Sequence, residues 1–248
     1  MANSRYKRLS DYTCTPHDVI NHAQTIAGCG YSISLDVALK CICQNPSYSC
    51  AISMSSHETW SDYIAKWTTK YINGYQNRCS ERVSNPIGTK HDNILDDIII
   101  SSISKLTSSE IEQIKFAHRL SMSAENIGGA LLEEYLSEEL IQYKWHCCWG
   151  ETLKSIDFCN ENGKLLQIKN SDNSENSSSQ AVRNGTAIMK WFRRHAKKGT
   201  TNWDALNTLL NITDLNKTLS EAKYKAFVKR VLVSNPDALF IEGDNVWQ

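Results

Sequence analysis

Apolar residues recur at mixed helical spacings over residues 16–75, with Val19, Ile20, Ala23 and Ile26 early and Trp60, Tyr63, Ile64 and Trp67 later. This predicts an irregular, mainly helical N-terminal part. Ile94, Leu95, Ile98, Ile99, Ile103 and Leu106 then form a helical stripe, and Thr107-Ser-Ser-Glu110 spells a capping box for the next helix. Further on the pattern predicts a helix over about 125–143, an aromatic run from Trp145 to Trp149, a hairpin over 155–169, a polar loop over 170–180 and a basic helix over about 183–198. Thr218-x-x-Glu221 reads as another capping box, for a helix that ends before Asn235-Pro236, and residues 238–241 suit a final strand. Helix, strands and helix in this order describe an α/β core. Asn85-Pro86 and Gly88 among polar residues mark a soft boundary, with the mainly helical part at 1–90 and a core domain at 91–248.

Within the hairpin, loop length decides which side chains share a face, because a one-residue slip inverts one strand relative to the other. A two-residue Asn162-Gly163 turn sets Asp157 opposite Ile168, mixing charge with core. A three-residue loop, Glu161-Asn162-Gly163 with Gly in the left-handed position, sets Asp157 opposite Gln167. The second register also stacks Ile156 and Phe158 on Ile168 and Leu166, so the patterning predicts Asp157, Gln167 and Lys169 together on the other face.

Composition narrows the class. Of 248 residues 41% are apolar and 22% charged, which fits a folded globular chain and excludes a fibrous one. No stretch approaches the ~20 apolar residues needed to span a bilayer. Nine irregularly spaced cysteines, none in C-x₂-C pairs, and an N-terminus without an apolar run predict reduced thiols in a cytoplasmic protein. With 27 basic and 27 acidic residues the net charge is zero, so a polyanionic partner needs local clustering. Residues 183–198 supply it: Arg183, Lys190, Arg193, Arg194, Lys197 and Lys198 stand there without one acid.

The polar trio of the hairpin suits phosphodiester hydrolysis. That reaction is served by a hard divalent metal on carboxylate oxygens, which Asp157 offers, and by a cation such as Lys169 that orients the attacking water and steadies charge on phosphorus. Gln167 offers only a neutral amide oxygen. Upstream, Asn126-Ile-Gly-Gly-Ala-Leu-Leu-Glu133-Glu134 brings paired glycines and then paired acids, either of which could complete a metal site; Glu133 borders Leu136 and Leu140, Glu134 borders Ile127 and Ile141, and periodicity does not choose.

With these residues in view, the segment resembles the PD-(D/E)XK nuclease superfamily. Within it, residues 126–135, Trp149-Gly-Glu-Thr-Leu-Lys-Ser-Ile-Asp157, Gln-Ile-Lys-Asn170 and Thr201-Asn-Trp-Asp-Ala-Leu206 look like type II restriction endonucleases of the SinI-like kind, over about 120–210. The resemblance implies a mixed central sheet flanked by helices, Mg²⁺ held by Asp157 and Glu133 (or Glu134), Lys169 as catalytic lysine, and a homodimer cutting double-stranded DNA at a GGWCC-type palindrome. A cognate DNA methyltransferase would be its genetic partner. Gln167 departs from the superfamily, which carries Asp or Glu there, and Ile156 stands where Pro is usual. Asn170, Ser171, Asn173, Asn176, Arg183, Lys190, Arg193 and Arg194 are the expected DNA contacts. A non-cleaving DNA-binding protein on a decayed nuclease fold, or a nuclease for branched or damaged DNA, are the competing readings.

Overall fold

The computed structural model describes residues 5–86, 88, 92–103, 105–172 and 185–241. Strand β1 (Arg5–Lys7) is followed by helices α1 (Pro16–Ala27) and α2 (Ile33–Gln44), strand β2 (Ile52–Met54) and helix α3 (Trp60–Gln76). The helix starts follow from local chemistry. Thr15 accepts the Asp18 N–H with Pro16 at the first helical position, and Ser32 accepts the Leu35 N–H. β1 and β2 pair antiparallel. α3 buries Tyr63, Ile64, Trp67 and Tyr71, and the polar heads of three of them donate to distant backbone carbonyls: Tyr63 to Cys50 at 2.7 Å, Trp67 to Thr152 at 3.0 Å and Tyr71 to Cys147 at 2.9 Å. The last two tie the N-terminal part to the sheet that follows.

Helix α4 (Asn93–Ser102) buries none of its side chains, and α5 (Ser108–Leu140) runs unbroken for 33 residues. The Thr107/Glu110 capping box forms as its sequence predicts, with reciprocal bonds at 2.7 and 3.3 Å. The helix expected to begin near residue 125 is the second half of this one. Its buried positions start only at Ser123, because the core covers only that half.

Strands β3 (Trp145–Cys147), β4 (Phe158–Asn160), β5 (Leu165–Ser171) and β6 (Ile188–Arg194) form one sheet in the order β3-β4-β5-β6. It is mixed: antiparallel from β3 to β5, parallel between β5 and β6. Helices α2 and α5 pack on it, α6 (Trp203–Leu209) lies against β6, and α7 (Glu221–Ser234) lies against α5. This is the expected α/β arrangement of a mixed sheet flanked by helices, and the buried side chains of the N-terminal helices and of the sheet join in one continuous core. Among the described residues no helix is long and apolar enough to cross a membrane.

Three expectations are corrected. Residues 188–194 form strand β6, not a basic helix. Only Ile188 and Trp191 of this segment are buried, a spacing of three that imitates a helix, yet the backbone pairs along β5 from Leu165↔Ile188 to Ser171↔Arg194. The cap of α7 is Ser220, which accepts the Lys223 N–H, and Glu221 turns away to Arg193 and the Trp203 indole. The apolar end is a short 3₁₀ turn (Pro236–Ala238) rather than a strand, with Ala238 buried and Ser84 donating its N–H to the Asp237 carbonyl.

Candidate active site

The β4–β5 hairpin takes the predicted register. Asn160 N–H donates to the Lys164 carbonyl and Gly163 N–H to the Asn160 carbonyl, closing the loop Glu161-Asn162-Gly163 with Gly163 at φ +79°. Phe158 faces Leu166, which puts Asp157 level with Gln167. The ladder then gives way. Asp157 still donates its N–H to Leu166 O at 3.0 Å, but its carboxylate, in place of a backbone carbonyl, accepts the Ile168 N–H at 2.7 Å. That bond fixes the carboxylate at the open end of β5.

A second acid arrives from α5. Tyr135 sits in a cluster of rings, 5.5 Å from Tyr224 and Phe227 and 5.9 Å from Trp203 between centroids, and Tyr224 donates its hydroxyl to Gly128 O. This locks the rotation of the helix, so neighbouring residues meet opposite environments. Glu133 lines an open cavity of about 720 Å³ together with Asp157 and Lys169. Glu134 is buried away from that cavity, accepting the Ser80 N–H at 3.1 Å and lying 3.4 Å from Arg78 Nε. Geometry therefore makes the choice that periodicity left open: Glu133 faces Asp157, and Glu134 does not.

The remaining expected residues divide. Asn170, Ser171 and Arg194 line the cavity beside Lys169. Gln167 is buried within the sheet and does not line it, so the face shared by all three hairpin residues is not formed at the cavity. Lys190 stands level with Gln167 on the neighbouring strand. Arg193 turns to Asn170 Oδ1 at 2.8 Å, to the Glu221 carboxylate and to the face of the Tyr224 ring. Asn173, Asn176 and Arg183 lie outside the described residues. The structure also brings in residues the sequence reading missed: Glu125 and Asn126 from α5, and Glu151 from the loop before β4. Gly150 was the one visible signal for Glu151, a turn residue right after Trp149.

The cavity is electrostatically loaded. Burial, then the charges of Asp157 and Glu151, push the Glu133 carboxyl up to about 8, against the pull of Lys169 and Arg82. Burial likewise raises Asp157 to about 6, while the Ile168 N–H and the Lys169 charge lower it. Two acids that resist ionisation across one cavity are an arrangement a cation relieves.

A family profile described as SinI restriction endonuclease matches residues 21–234. The chain belongs to the SinI restriction endonuclease family. It is 43% identical over 141 residues to the type II restriction enzyme Eco47I of Escherichia coli, covering 55% of this chain and 60% of that protein. It is also 42% identical over 132 residues to the type II restriction enzyme SinI of Salmonella infantis, covering 51% of this chain and 56% of that protein. The matched segment thus spans less than two thirds of either relative. The family match reaches well into the N-terminal helices, so α2 and α3 belong to the family pattern as much as the sheet does.

A hard divalent cation fits the donors of this SinI-family site. Four carboxylates line one water-accessible cavity, and two of them, Glu133 and Asp157, are held toward the protonated form that a cation would displace. Among the described residues no group of three or more His, Cys, Asp and Glu side chains converges closely enough to hold a metal alone. Mg²⁺ suits such a site, since it keeps several waters and uses one or two carboxylates plus substrate phosphate.

Proposed function

We propose that this chain is a Mg²⁺-dependent type II restriction endonuclease that acts as a cytoplasmic homodimer, cutting both strands of duplex DNA at a GGWCC-type palindrome and coexisting with a methyltransferase that protects the host's own sites. Family membership supports the class. The observation that carries the chemistry is the convergence of Asp157, Glu133 and Lys169 on one cavity.

In this reading Asp157 and Glu133 hold the cation, which neutralises phosphate charge and makes bound water more acidic. Lys169 orients the attacking water and stabilises the charge that builds on the phosphoryl oxygens. Asn170, Ser171 and Arg194, at the rim, contact the DNA backbone, and Arg193 acts from behind them by holding Asn170. Glu133 supplies the second carboxylate that Gln167 lacks. The helical part at 1–90 serves as a platform for the core domain at 91–248.

The test is incubation of the purified chain with a large unmethylated DNA and Mg²⁺, followed by sequencing of the ends. Discrete fragments sharing one terminal sequence are expected, and Lys169→Ala should slow cleavage by about 10³-fold with an unchanged melting temperature. Absence of cutting with either Mg²⁺ or Mn²⁺, alongside salt-sensitive binding, would overturn the reading in favour of a DNA-binding protein on a decayed nuclease fold. Structure-selective cutting without a common sequence would favour a nuclease for branched or damaged DNA.

A further inference from the structure

The loop between β3 and β4 carries a carboxylate with no structural employment. Glu151 is exposed, and among the described residues its carboxylate makes no hydrogen bond or ion pair; only its backbone carbonyl is used, by Lys70 Nζ at 3.4 Å. Yet its backbone is held at φ +51°, in the left-handed region that L side chains disfavour, directly after Gly150 at φ +73°. A residue stays in such a conformation only when its surroundings over-determine it, and strain of this kind concentrates at functional positions.

The surroundings do over-determine it. Gly150 packs backbone to backbone on Gly74 of α3, so closely that a Cβ on Gly74 would lie 2.3 Å from Gly150 N. One residue beyond Glu151, the Thr152 carbonyl accepts both the Trp67 indole N–H at 3.0 Å and the Cys50 N–H at 2.8 Å. Helix α3 therefore clamps the loop on both sides of Glu151 and leaves its side chain on the wall of the cavity that holds Asp157 and Glu133.

We propose that Glu151 is a third acidic group of the cation site, gripping the hydrated ion through its water shell from the loop wall where the sheet offers only the buried Gln167; the inference rests on the nuclease reading above. The contact is through water because no three acids converge closely enough for direct ligation, and because Mg²⁺ retains much of its hydration. Groups that hold a metal through its outer shell are commonly worth about tenfold or more in affinity.

Titration calorimetry of the full chain with Ca²⁺, without DNA, tests this independently of turnover. Glu151→Gln should weaken Ca²⁺ binding about tenfold, and Glu151→Asp should recover part of it. Glu151→Gly relieves the left-handed strain, so it should melt no lower than wild type and still lose the same affinity, which a purely structural role for the residue would not give. Unchanged Ca²⁺ affinity in Glu151→Gln, beside a wild type that binds Ca²⁺ and cuts DNA, overturns this inference alone. A wild type that neither binds Ca²⁺ nor cuts overturns the nuclease reading with it.

Discussion

The walls of the cavity are held in contrasting ways. The β5 wall, which carries Lys169, Asn170 and Ser171, rests on ordinary sheet pairing, with a ladder to β6 and an Arg193–Glu221 ion pair behind it. The loop wall, with Glu151, rests on the N-terminal part, through a backbone-to-backbone contact with α3, the Trp67 indole of α3 and the Cys50 amide just before β2. The first is local and tolerant, since a strand can shift a side chain without losing its pairs. The second depends on residues some 75–100 positions away and has no slack. The N-terminal helices thus do more than add mass: one face of the site is built on them.

The contrast breaks most completely at Gly74. Gly74→Ala drives a Cβ into the Gly150 backbone, with no flexible side chain to give way. A loss of about 3 kcal/mol is expected, roughly 6–12 °C in Tm for a chain of this size, and cleavage should fall even at temperatures where the variant is folded. An overpacking substitution of similar size in the β5 wall, such as Ser171→Val, should cost well under half as much. Comparable losses in the two variants, by calorimetric melting, would erase the distinction.

The paired acids of α5 sharpen it on a smaller scale. Glu134→Gln removes the charge facing Arg78 in a buried pocket and should cost about 2 kcal/mol, while cleavage per folded molecule stays within a few-fold. Glu133→Gln should do the reverse: cleavage drops at least 100-fold and the fold becomes slightly more stable near neutral pH, because a buried carboxyl that resists ionisation is gone. Parallel melting curves and single-turnover rates check the pair, and an exchange of the two phenotypes would reverse the assignment.

These residues also mark what the sequence disclosed. The hairpin register was readable, because Gly163 and the apolar alternation of 156–168 are local signals and both require the same three-residue loop. The choice between Glu133 and Glu134 was not, since Arg78 and Ser80, which claim Glu134, stand more than fifty positions upstream. Strand β6 was misread because burial at 188 and 191 imitates a helix, and its true partner, β5, lies across a connection of sixteen residues. Gln167 was placed in the right register but on the wrong side of the site: register fixes neighbours, and only packing decides which of them meets the cavity. Glu151 was invisible for the same reason as Glu134, its position being set by α3 and not by its own neighbours.

The smallest effect concerns protons, and it belongs to the two raised acids of the cavity. In the native chain Asp157 titrates near 6 and Glu133 near 8, above the ordinary 3.8 and 4.5 that the unfolded chain has. Between about pH 4 and pH 8 the folded state therefore holds protons that the unfolded state has released. Stability must fall as pH rises through that window and level off above the upper value. The open cavity admits water and screens the pair, so their joint contribution is about 2 kcal/mol, roughly 5 °C in Tm. Melting curves without metal should show this decline relative to Glu133→Gln, whose profile should be flatter. Saturating Mg²⁺ should remove most of it, because a bound cation takes the place of the protons, and binding between about pH 6 and pH 8 should release protons measurable in weakly buffered solution. If Glu133→Gln keeps the wild-type slope, the raised acid is not the one facing Asp157, and that reading of the cavity fails.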